Sequence, residues 1–117
     1  MPVGKGLPMT SKPPTPKNHQ SITKRYPRFM AAVDGLGQAA ADAGPLPEKT
    51  RHLVQLAAAA AIRSEGAVHS HARRALAAGA TPEEIQHAVI ALTSTIGFPN
   101  VMAALSWIND VKRGTRW

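Results

Sequence analysis

The sequence predicts an all-α fold, and three observations carry that expectation. Apolar residues recur at spacings of three and four, no segment alternates with period two, and the five alanines from Ala57 to Ala61 form a strong helix-favouring run. Ser21 to Ala43 reads as the first helical segment, with Tyr26, Phe29, Met30, Val33 and Leu36 on one face. Pro27 and the pair Gly35 and Gly37 weaken it, so it is either two shorter helices or one that starts near Pro27, where proline suits the first turn.

Gly44 and Pro45 stop that segment, and Pro47 with Glu48 opens a helix expected to run to about Ser64, its acid near the positive end of the helix dipole. The alanine run leaves little side-chain bulk on any face, which permits close approach of neighbours and argues for a central position. After a break at Glu65 and Gly66, a third helix is expected near Ala67 to Ala78, ending at Gly79. Thr81, Pro82, Glu83 and Glu84 form a capping box with proline at the first helical position. The fourth helix then buries Ile85, Ala88, Val89, Leu92 and Ile96, with Gly97 and Pro99 closing it. A fifth, from about Asn100 to Lys112, turns Val101, Leu105 and Ile108 inward and leaves Trp107 near a contact surface.

At 117 residues the chain makes one domain. Aromatics are 4% of the residues, so the core must be aliphatic and rich in alanine, and a core of that kind gains by covering apolar faces against further copies. Self-association is expected. The chain has no cysteine, which removes disulfides, thiolate metal sites and thiol nucleophiles, fits a reducing compartment, and makes a cytoplasmic location the default. The longest apolar run, Leu56 to Ile62, is too short to span a bilayer.

The net charge of +7 is unevenly spread. Lys5, Lys12, Lys17, Lys24 and Arg25 meet no acid in residues 1–25, leaving nine basic against seven acidic residues, a balance of +2, for the rest. Residues 1–20, with five prolines, are expected to be a mobile Pro/Lys-rich tail, a solvated arm or packing strap, followed by a helical domain at 21–117. No aromatic or Gly/Arg pattern is interleaved with the tail lysines, so nucleic acid is not an expected partner.

Histidines offer the candidate chemistry. Helical spacing puts His71 and Arg74 on one face with Ala67, and His69 with Arg73 on a neighbouring face. A cation one turn away favours neutral imidazole, a useful state for proton transfer. On spacing alone His71 is equally well a buried side chain hydrogen-bonded to a carbonyl of the adjacent helix. His52 has Glu48 one turn before it, either an orienting pair that raises its pKa or a surface contact. His19, His69 and His87 read as structural or solvent-exposed. A metal site is not expected, because His69 and His71, two apart on a helix, point in different directions and cannot both ligate one ion.

Five elements in this order resemble the carboxymuconolactone decarboxylase family, which includes alkylhydroperoxidase D-type proteins. They are Pro47-Glu48-Lys49-Thr50-Arg51, the alanine-rich helix, His71 followed by Arg73-Arg74-Ala75-Leu76, Ala78 to Ile85, and Gly97-Phe98-Pro99, and together they cover most of residues 26–110. The resemblance implies a compact alkylhydroperoxidase D-like domain of five to six helices, assembled as a trimer or hexamer. Peroxidase-type members carry a Glu on the alanine-rich helix, a Cys-x-x-Cys at its end and a His four residues later; those places hold His52, Ser64, Ala67 and His71 here. A serine and an alanine cannot cycle between dithiol and disulfide, so thiol peroxidase chemistry is excluded.

Decarboxylase-type members lack the cysteine pair. They imply loss of carbon dioxide from a small carboxylated metabolite of aromatic-compound breakdown, without cofactor or metal. On that reading His71 and His52 are the catalytic candidates, with Arg74, Arg51 and Ser64 holding the substrate. The alternative is a non-catalytic helical oligomer or small-ligand binder on the same scaffold.

Overall fold

The computed structural model describes residues 17–115. The described residues are helical throughout, with no strand: α1 (Lys17–Arg25), α2 (Pro27–Asp42), α3 (Glu48–Ala61), α4 (Glu65–Ala77), α5 (Pro82–Ile90), α6 (Thr93–Ile96, a single turn) and α7 (Phe98–Thr115). Contacts divide them into a unit that ends at Leu46 and a unit that begins at Pro47. Residues 17–20 of the segment read as a tail are the start of α1, and residues 1–16 lie outside the described residues.

In the first unit the proline governs the chain. Pro27 has no N–H to continue the ladder of α1, which ends at Arg25, and it opens α2 in the first turn. Of the two readings of Ser21 to Ala43, the structure selects two helices. The apolar stripe is largely open in the isolated chain: Met30 is buried, whereas Phe29 and Leu36 are 61% and 72% exposed.

The second unit holds the main core. Leu56, Ala59 and Ala60 of α3, Val68, Ala72 and Ala75 of α4, Ile85 and Val89 of α5, and Val101, Ala104 and Ile108 of α7 form one buried cluster. Leu105, Trp107 and Ile96 pack against it. The most extensive pairing is α3 with α4, and α3 also meets α5 and α7, the central position expected of the alanine-rich helix. Four of the buried residues at α3 and α4 are alanines, so the two helices approach closely.

The turn between them lies earlier than the sequence suggests, at Ile62 to Ser64, with α4 beginning at Glu65. Ser64 N–H donates to the Ala59 carbonyl at 2.9 Å and Arg63 N–H to the Ala60 carbonyl at 3.1 Å, the paired bonds of a Schellman turn. That turn needs a left-handed residue, and Arg63 supplies it at φ 58°, a conformation that costs a non-glycine residue about 1–2 kcal/mol. Its guanidinium hydrogen-bonds Asn100 and lies 6.0 Å from the Trp107 ring centre, so contacts with α7 offset the strain. The same paired bonds recur where α4 ends, with Gly79 at φ 101° and Ala80 buried behind it.

The capping box forms as expected: Thr81 Oγ1 accepts from Glu84 N–H at 3.1 Å, and Glu84 accepts from Thr81 N–H at 2.9 Å. Lys49 of α3 donates to the same carboxylate at 3.1 Å, tying α5 to α3. The hydrogen bond from Thr81 and the Lys49 ammonium hold the Glu84 carboxyl below the usual carboxylate range. The expected fourth helix, however, is broken after Ile90. Thr93 Oγ1 donates to the Ile90 carbonyl at 2.6 Å, a local bond of the kind that competes with the helical ladder. Gly97, at φ 89°, ends α6, while Pro99 lies inside the first turn of α7 and does not close the helix before it.

Two glycines provide opposite tests of this geometry, because no atom lies within 4 Å of a Cβ added at either. Gly79→Ala should destabilise by about 1 kcal/mol through its left-handed backbone alone. Gly66→Ala, within α4, should stabilise by about 0.4–1 kcal/mol through the unfolded state. Urea unfolding of both variants checks the signs.

Candidate active site

The α3–α4 hairpin brings two imidazoles together. His52 lies one turn into α3 and His71 midway along α4, and their ring centres are 5.8 Å apart with the planes tilted by 32°. Nδ1 of each ring is shielded from solvent and has no hydrogen-bond partner. A polar atom in that state costs free energy until something meets it. Nδ1 of His71 therefore makes no bond to a backbone carbonyl of the neighbouring helix.

Charge around the pair is positive. Burial pushes the His71 pKa down from 6.5 to about 4, with Arg74 and His52 adding to the shift. His52 is lowered too, first by burial and then by Arg74, with a smaller contribution from Arg51. Glu48, whose carboxylate is 3.8 Å from His52 Nε2, and the Gln55 side chain pull the other way and lose. Glu48 thus acts in the expected direction but is outweighed, and the surface reading is corrected, since the His52 side chain is only 14% exposed.

Of the five residues singled out from the sequence, His52, His71 and Arg74 thus act on one another, and Arg51 acts on His52. Ser64 stands apart. It is the N-cap of α4, seven residues before His71, which is roughly 10 Å along a helix axis.

His69 faces elsewhere, as its two-residue offset from His71 requires. Its Nε2 lies 3.8 Å from a Glu65 oxygen and 3.8 Å from an Asp110 oxygen. This nitrogen is shielded from solvent and makes no hydrogen bond. The ligand atoms of Glu65, His69 and Asp110 all lie within 4.8 Å of one another, a grouping that the sequence reading missed. The i,i+4 spacing of Glu65 and His69 was visible in the sequence; the approach of Asp110 from α7 was not.

A neutral, half-buried histidine sets the direction of the pH response. Folded His71 binds its proton only near pH 4, whereas the unfolded residue does so near 6.5, so the unfolded state takes up more protons between those values. Stability should therefore fall as pH is lowered from about 6.5 toward 4. The non-titrating His71→Phe should flatten that slope, as read by urea unfolding across the range.

Comparison with known proteins agrees with this architecture. The family model of the carboxymuconolactone decarboxylase family matches residues 27–110. An uncharacterised protein of Methanocaldococcus jannaschii is 32% identical over 90 residues, covering 77% of this chain and 84% of that protein. An uncharacterised protein of Haemophilus influenzae is 39% identical over 59 residues, covering 50% of this chain and about half, 52%, of that relative's length. No solved structure gives a significant match. With the match spanning α2 through most of α7, and the five expected sequence elements within it, the chain belongs to the carboxymuconolactone decarboxylase family.

Proposed function

We propose that this chain is a cofactor-free lyase or isomerase acting on a small carboxylated metabolite at the His52–His71–Arg74 site. The observation that supports it most is the pair of shielded, unpartnered imidazole nitrogens under the field of a guanidinium. Such a site attracts an anion and offers it two groups able to exchange protons.

The low His71 pKa refines the roles expected from sequence. In the free protein His71 is a proton acceptor, not a stored acid. Burial is the main cause of the low His71 pKa and Arg74 the second; a carboxylate that pairs with Arg74 offsets that second cause and sets a negative charge beside the ring, so binding favours uptake of a proton. Decarboxylation then breaks the bond between the substrate's carboxylate and its α carbon, leaving the electron pair on that carbon and its adjacent carbonyl. The imidazolium returns a proton to the carbon, and the ring is neutral again. His52 orients the ring or relays its proton, and Arg51 adds positive charge beside it. Ser64 belongs to this site only with a substrate long enough to reach the start of α4.

The exposed apolar stripe of α2, with Val54, Ile62, Phe98 and Met102, supports assembly into a homo-oligomer. The lack of cysteine agrees with a cytoplasmic location, and among the described residues no helix is long and apolar enough to cross a membrane.

With a carboxylated γ-lactone as substrate, His71→Ala should lower kcat/KM by about 10²–10⁴-fold, and Arg74→Ala should mainly raise KM. Turnover unchanged in His71→Ala rejects the proposal. A rise in melting temperature with organic acids, but no turnover in the wild type, selects the small-ligand binder instead.

A further inference from the structure

We propose that Glu65, His69 and Asp110 form a binding site for one divalent transition-metal ion of the zinc class, on the side of α4 turned toward α7. The donor set, one imidazole nitrogen and two carboxylate oxygens, is of the kind that zinc and its neighbours accept, with solvent completing the shell. His69 and Glu65 are one turn apart on the first two turns of α4, and Asp110 comes from α7, so the site joins two elements that already share core contacts.

The distances favour an ion over direct pairing. Nε2 of His69 is 3.8 Å from both carboxylates, beyond hydrogen-bond reach in each direction, and it has no other partner. An imidazolium there would lack an acceptor at bonding distance. Ligands bound tetrahedrally to zinc at about 2.0–2.2 Å lie roughly 3.3–3.6 Å from one another, so a small inward movement of two side chains seats an ion between all three. Glu65 has the most freedom for that movement, since its side chain is 54% exposed, against 41% for Asp110 and 25% for His69. Two carboxylates balance the divalent charge, which the positive end of the α4 dipole by itself would oppose.

Zinc ions added to tag-free, chelator-stripped full-length protein provide the test, with binding followed by calorimetry and melting temperature, and with Co²⁺ absorption as a report on coordination. Expected are one ion per chain, Co²⁺ bands characteristic of mixed nitrogen and oxygen ligation, and a melting temperature that rises with zinc concentration. His69→Ala and the shape-conserving Asp110→Asn and Glu65→Gln should each weaken binding by more than about tenfold, whereas His52→Ala should bind as the wild type does. The proposal is overturned if the wild type takes up no zinc at millimolar concentration, if Asp110→Asn and His69→Ala bind unchanged, or if His52→Ala abolishes binding and so places the ion at the other histidine pair.

Discussion

Close approach of α3 and α4 is the constraint on which the site depends. Ala59 and Ala60 on one helix, and Ala72 and Ala75 on the other, are buried to within a few per cent. Larger side chains at these positions would separate the helix axes, and at a few ångströms more His52 and His71 would no longer share one field. The turn at Arg63 serves the same end, since its two backbone bonds reverse the chain within three residues and its side chain secures the hairpin to α7. Alanine packing and the strained turn are thus parts of one device that holds two imidazoles against each other.

The α4 helix carries two different electrostatic settings on its sides. His71 lies with His52 where burial first and Arg74 second favour the neutral rings, and the guanidinium suits the place to an anion. His69, two residues earlier, lies between Glu65 and Asp110, surroundings that suit a cation. The two-residue offset separates them as the helical repeat demands. Both settings leave an imidazole nitrogen shielded and without a hydrogen bond, a state that native interiors seldom keep without a use.

What the sequence made legible was local. The Thr81 to Glu84 cap, Gly79 and Pro27 each act through backbone geometry within a few residues, and each stands where its chemistry predicts. Gly97 ends α6 as expected, and only Pro99 was misread, because proline both stops one helix and starts the next; here it lies in the first turn of α7. The break after Ile90 was hidden by an apolar stripe that continues through Leu92 and Ile96 on a different helical segment. His71 and Arg74 were visible as a helical pair, but the burial that dominates the His71 pKa is a property of packing. The Asp110 partner of His69 lies 41 positions away, and no periodicity within one helix could reveal it.

The site turns on His71 being a neutral imidazole, held so by its enclosure and then by Arg74. Ring-carbon NMR of the free protein, followed from neutral pH downward, tests it most directly. The His71 midpoint is expected near pH 4, moving upward in Arg74→Met and staying below 6.5, because burial remains. A midpoint at 6.5 in the wild type, indifferent to Arg74, would contradict it.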